Sequence, residues 1–205
     1  MKRILAVIVT AALYAGCAGS MLSSNEEPPE IYRLDAPVLA AAGDTLPLAL
    51  GVARPRAAAS LDTERVAVAR PGGSFDYVAG MRWADAAPQM VQQLLVQAFT
   101  ADGRFAATVA SPSRVPTDLL LDVELRRFEA VYAEDGAAPR VRVELQATLV
   151  DGRKGTRLTS FVAASEAVAE RNRQPDVVAA FGVATGQALA TVVGRVREGT
   201  AVIPR

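Results

Sequence analysis

The sequence predicts an α/β fold: a single domain in which two main helices pack on a mixed, largely antiparallel sheet. Three observations carry this. Two long runs, around 119–132 and 141–149, alternate apolar and polar residues with the period of a half-buried strand. Two other stretches, 85–102 and 175–196, repeat apolar residues at helical spacing and carry helix start or stop residues. Their order is strands, helix, three long strands, helix, without an internal repeat, which suits helices laid against one sheet.

Order begins near Ile31-Tyr32-Arg33-Leu34. Leu46, Leu48, Leu50 and Val52 alternate as a strand with one buried face, and Arg54-Pro55 ends it. Val66 and Val68 mark a second strand. Pro71-Gly72-Gly73-Ser74 supplies the positive-φ positions of a hairpin turn, and Phe75-Asp76-Tyr77-Val78 returns as a short third strand. In the first helix Val91, Leu94, Leu95, Ala98 and Phe99 share one face, with Gln89, Gln92, Gln93 and Gln97 on the remaining arc. Asp85 is placed to cap it, Pro88 fits its first turn, and Asp102-Gly103 stops it in a left-handed cap.

Beyond the helix, Leu119, Leu121, Val123 and Leu125 share one parity, and Phe128, Ala130 and Tyr132 carry the opposite one. One flat strand cannot bury both sets, so a bulge is expected near Arg126-Arg127, or a strand that changes its buried side. Glu134-Asp135-Gly136 turns the chain, and Val141 to Leu149 alternate strictly with Arg140 to Thr148. A turn over residues 151–155 leads to a strand through Leu158 to Val162. Pro175 opens the last helix, which runs to about Val196. In it Gly182, Gly186, Ala190 and Gly194 recur every fourth residue. This smooth stripe either meets a partner or another copy of the chain, or lets the helix lie tight against its own sheet, which is the reading expected.

The N-terminus has a different character. Lys2-Arg3, an apolar run from Ile4 to Tyr14 and the small residues before Cys17 stand in the order of a signal peptide. The run is shorter than the roughly 20 apolar residues a membrane span needs. Tyr14-Ala15-Gly16-Cys17 resembles the bacterial lipobox, with Leu13 one place early. That resemblance implies cleavage after residue 16, a diacylglyceryl group on the Cys17 sulfur and an acylated amine, with palmitate the implied acyl chain. Two or more acyl chains hold a protein firmly at a bilayer. Residues 17–30 then read as lipidated cysteine plus flexible tether. The Ser-, Asn-, Glu- and Pro-rich stretch from Ala18 to Glu30 has little to bury and reaches about 40 Å when extended. The folded domain is expected over 31–200. Ala18 differs from the Asp of an inner-membrane retention signal, so the expected site is the outer membrane, facing the periplasm.

Composition excludes several chemistries. Hydrophobic residues make up 51% of the chain, enough to fill a core. Removing residues 1–16 leaves 20 basic against 22 acidic side chains, about −2, so there is no electrostatic case for nucleic acid. The chain has no histidine, and Cys17 is its one cysteine. Ser-His-Asp and Cys-His catalysis are thereby excluded in their usual forms, and the preferred ligands of zinc are lacking. Gly152-Arg153-Lys154-Gly155-Thr156 lacks phosphate-loop spacing and reads as a tight turn. No cofactor or metal is expected. Asp122 and Glu124 could share a strand face as a carboxylate pair, although alternation already accounts for them as solvent-facing.

Tyr32-Arg33-Leu34, Leu48 to Val52, Leu61 to Val68, Met81-Arg82-Trp83-Ala84-Asp85, and Asp118 to Glu129 occur in an order that resembles the ABC-type transport auxiliary lipoprotein family. The resemblance spans about residues 31–196, and Arg82-Trp83-Ala84-Asp85 is its most specific part. It implies an α/β fold and a non-enzymatic role beside an MCE-domain substrate-binding protein, a permease and an ATPase. Such systems move lipids or other hydrophobic molecules between membranes. Arg82 and Trp83, with Gly182 and Gly186, are the candidate partner surface; the competing structural reading buries Trp83 and leaves Arg82 to bond nearby carbonyls. A structural or assembly lipoprotein of the envelope is the alternative function, and a carboxylate hydrolase using Asp122 or Glu124 a more distant one.

Overall fold

In a computed structural model, described over residues 28–133 and 136–201, the chain forms one nine-stranded mixed sheet with two helices on one face. Residues 1–27, with Cys17 and most of the expected leader and tether, and Glu134-Asp135 lie outside the described residues. The strands are β1 (Glu30–Tyr32), β2 (Leu46–Ala53), β3 (Arg56–Ala57), β4 (Arg65–Ala69), β5 (Phe75–Trp83), β6 (Phe105–Ser111), β7 (Leu119–Val131), β8 (Arg140–Asp151) and β9 (Arg157–Val168). The helices are α1 (Ala87–Asp102) and α2 (Gln174–Thr200).

β7 is the spine. On one edge it pairs antiparallel with β8 over its whole length, and β8 pairs antiparallel with β9. On the other edge it pairs in parallel with β2 at its start, β3 in its middle and β4 at its end. β2 carries β6 onward in parallel, and β4 carries β5 antiparallel with β1 parallel to β5. The longest ladders are thus antiparallel, while the short pairings that fork from β7 are mostly parallel.

The expected bulge is present. Leu125 faces Leu145 and Arg127 faces Glu144, leaving Arg126 unpaired on β8. The extra residue shifts the parity, so Leu119, Leu121, Val123 and Leu125 before it and Phe128 and Ala130 after it all reach the helix-covered core. Along β8, Val141, Val143, Leu145, Ala147 and Leu149 face the same core, as their alternation predicts. The opposite sheet face carries partly exposed polar residues such as Asp122, Glu124, Glu144, Gln146 and Thr148.

Several expectations are corrected. β5 runs on to Trp83 instead of ending near Val78, and β9 runs on to Val168 instead of Val162. β6 was not foreseen: in Phe-Ala-Ala-Thr-Val-Ala-Ser only Phe105 is buried, so small half-exposed side chains leave no alternation to read. The N-cap of α1 is Ala86, without a side-chain cap, not Asp85. Gln92 is buried rather than solvent-facing, because its Nε2 donates to the carbonyls of Val52 (2.9 Å) and Ser111 (3.1 Å) and so ties α1 to β2 and β6. Gly103 does form the left-handed cap, with φ 69° and its N–H donating to the Phe99 carbonyl. α2 extends past Val196 to Thr200.

Candidate functional site

The segment Met81-Arg82-Trp83-Ala84-Asp85 joins β5 to α1, and three backbone bonds fix it. The Trp83 N–H donates to the Glu64 carbonyl (2.7 Å), that of Ala84 to Tyr32 (2.9 Å) and that of Ala87 to Thr63 (3.1 Å). β1, the approach to β4 and the start of α1 therefore converge here. Alternation along β5 sends neighbouring side chains to opposite faces. Trp83 turns into the core, 1% exposed, and packs on Phe181 of α2 (ring centroids 5.0 Å apart) and Phe128 of β7 (5.6 Å). Phe128 and Phe181 complete the triangle at 5.0 Å. Each such pair adds about 0.5–1.5 kcal/mol beyond its burial. Arg82 points the other way, half-exposed, with Nη1 3.6 Å from Glu64; it forms an ion pair with a carboxylate and not the expected bonds to carbonyls.

Gly182 and Gly186 lie on α2 in the helical layer, the face onto which Trp83 points and from which Arg82 turns away. Arg82 and the glycines thus do not share one surface. Nor does the stripe sit tight against the sheet: a Cβ on Gly182 or Gly194 would meet nothing within 4 Å, and one on Gly186 would meet only Pro37, at 3.7 Å. The glycine at which α2 presses on the sheet is Gly199, whose Cβ would lie 2.8 Å from Thr159 Cγ2 of β9. Spacing could not reveal this, since Gly199 stands outside the four-residue repeat. Cys17 lies outside the described residues.

Asp122 and Glu124 do reach the same sheet face, each beside an arginine: Asp122 Oδ2 is 3.2 Å from Arg56 and Glu124 Oε2 is 3.4 Å from Arg126. The ladder continues through Arg127 with Glu129 (3.1 Å) and Arg142 with Glu166 (2.7 Å). Alternating ion pairs of this kind describe a solvated sheet face. Among the described residues no three of His, Cys, Asp or Glu cluster as metal ligands. The residues 151–155 form the tight turn expected. Asp151 Oδ1 accepts the backbone N–H groups of Lys154 and Arg153, both at 2.9 Å, and these bonds, that from Lys154 foremost, hold its carboxyl below the ordinary range.

The chain matches the family described as ABC-type transport auxiliary lipoprotein component over residues 32–193. It belongs to that family. The match runs from the end of β1 into the last turns of α2. An uncharacterized protein of Bradyrhizobium diazoefficiens is 30% identical over 156 residues, 76% of this chain and 41% of that protein. The chain therefore spans about two-fifths of the length of that curated relative. Among solved structures, protein XCC0632 from Xanthomonas campestris superposes with a TM-score of 0.75 at 27% identity, covering 83% of this chain and 96% of that one. The hypothetical protein CT253 from Chlamydia trachomatis shares the fold alone, at a TM-score of 0.50 and 9% identity over 76% of this chain and 99% of that one. Membership in a lipoprotein family suggests attachment to a membrane of the cell envelope.

Proposed function

We propose that this auxiliary lipoprotein is a non-enzymatic component of an MCE-type ABC system that moves lipids or other hydrophobic molecules between the inner and outer membranes. In this reading Cys17 carries the acyl anchor in the outer membrane, residues 18–30 are the tether, and the body over 31–200 docks from the periplasmic side on the MCE protein and its permease and ATPase. The family match over 32–193 carries the proposal, and the lipobox at Tyr14–Cys17 supports the anchor. The ion-paired state of Asp122 and Glu124 supports a role without catalysis by either. The mechanism is positional: a membrane anchor and a tether of about 40 Å hold the body near its partner, so modest affinity acts at high effective concentration.

Crosslinking in cells followed by purification through this protein tests the reading. MCE-domain protein, permease and ATPase should be recovered, the protein should fractionate with the outer membrane, and mass spectrometry should find an acylated N-terminal Cys17. Recovery of other envelope complexes with no ABC component would establish the assembly-lipoprotein alternative instead.

A further inference from the structure

The antiparallel ladder between β4 and β5 breaks in an unusual way. Arg65 faces Arg82 and Ala67 faces Tyr77, so one residue of β4, Val66, is spanned by four of β5, Val78 to Met81. Three extra residues bow outward, and Gly80 takes the turn at φ 70°, a conformation costly for other residues. Gln174 Nε2, at the start of α2, donates to the Ala79 carbonyl (3.4 Å) and pins the bow. The result is a concavity of about 440 Å³ between the bow, Pro29 and the two arginines.

Like charges directly opposite each other on a sheet are unfavourable. Here two arginines face each other across the register, and both line the concavity. Glu64 lies 3.6 Å from Arg82, and both of these side chains are half-exposed. Arg65 has no ion-pair partner among the described residues; its guanidinium rests 3.7 Å from the centroid of the Tyr77 ring. Glu30, the register partner of Met81, accepts from the Tyr32 hydroxyl. Two arginine forks on the rim of a hollow, one unopposed and one weakly opposed, fit a tetrahedral oxyanion that accepts from both. Pro29 and Val78 add apolar wall, which suits an ester of that anion.

We propose that the hollow between Arg65, Arg82 and the β5 bow binds a phosphate group, as found in a phospholipid headgroup or a soluble phosphorylated solute. Arg65 and Arg82 hold the oxygens, and the anion offsets the positive charge of the two arginines. The site stands on its own geometry and does not depend on which transporter the protein serves.

The test is amide and arginine Nε NMR of the full chain in non-ionic micelles, titrated with inorganic phosphate and, separately, with dihexanoyl phosphatidylglycerol. Saturable shifts centred on Gly80, Met81 and Arg82 are expected. The R65Q/R82Q double variant should bind about tenfold or more weakly. Tighter binding of the lipid identifies a headgroup site, and binding of phosphate alone a site for a soluble phosphate. Absence of saturable shifts there with both probes, or a double variant that binds as tightly as the parent, overturns the proposal. If the double variant fails to fold, R65K, which keeps the charge and loses the fork, must weaken binding; unchanged affinity overturns it equally. The titration reads ligand occupancy alone, so its failure leaves the crosslinking result untouched.

Discussion

At the scale of the residue, the sequence pattern and the packing emphasise different positions. Trp83, Phe128 and Phe181 come from three distant segments and meet as one aromatic triangle under α2. Burial of a lone tryptophan is what its size predicts, yet its partners are set by strand register and helix placement. Gly199 makes the same point more sharply. Its Cβ position lies 2.8 Å from Thr159 Cγ2, so Gly199→Ala must push α2 from β9 or force Thr159 off its rotamer. A loss of about 1–3 kcal/mol is expected by analogy with overpacked cores, read as a lower midpoint in urea unfolding at constant slope.

At the scale of the element, α2 is unusual for a surface helix. From Val177 to Gly194 it carries no charged residue, and Gly182, Gly186, Ala190 and Gly194 form a half-buried row beside the exposed Val183, Gln187 and Thr191. By length and composition it would cross a membrane, but half of its most apolar window is buried against the sheet and α1. Because a Cβ at Gly182 meets nothing, Gly182→Ala should stabilise the isolated protein by about 0.5–1 kcal/mol through helix propensity. Thermal unfolding would show this; a loss of stability would mean that the stripe is already packed against something. The turns show electrostatics at the same scale. Asp118 is held below its ordinary value of 3.8, first by the Ala49 N–H and then by Arg153, and Asp151 is held low by the backbone of its own turn. These carboxyls titrate lower folded than unfolded, so their contribution is full above the ordinary carboxylate range and is lost as pH falls below it. Denaturant midpoints should therefore fall from pH 5 toward pH 3, and Asp118→Asn should flatten that slope.

At the scale of the whole molecule, the segment from Arg33 to Thr45 straps across the helical layer and is tied to the far ends of both helices. Asp102, fully buried at the end of α1, is ion-paired with Arg197 of α2, and its carbonyl accepts the Ala42 N–H (2.7 Å). Arg197 also donates to the Ala40 carbonyl (2.6 Å), and Arg104 pairs with Asp44 at 2.5 Å. One arginine thus connects α1, α2 and the strap. Arg197→Met leaves Asp102 buried without its partner, which costs toward the lower end of ~3–5 kcal/mol because Arg197 is itself a third exposed. Hydrogen exchange should show the strap and the end of α2 losing protection together; loss confined to α2 would show the strap to be independent.

Short-range periodicity and residue order encode the alternation of β7 and β8, the parity break that required a bulge at Arg126, the apolar face and glycine stop of α1, and the family to which the chain belongs. Other features emerge only when distant segments pack together. The fork of parallel partners along one edge of β7, the burial of Gln92, the Arg65–Arg82 hollow and the contact at Gly199 each join residues far apart in the chain or out of step with any repeat. The physical reason is that local pattern reports which face of an element is apolar. Which edge or which atom that face meets depends on long-range register, and no single segment contains it.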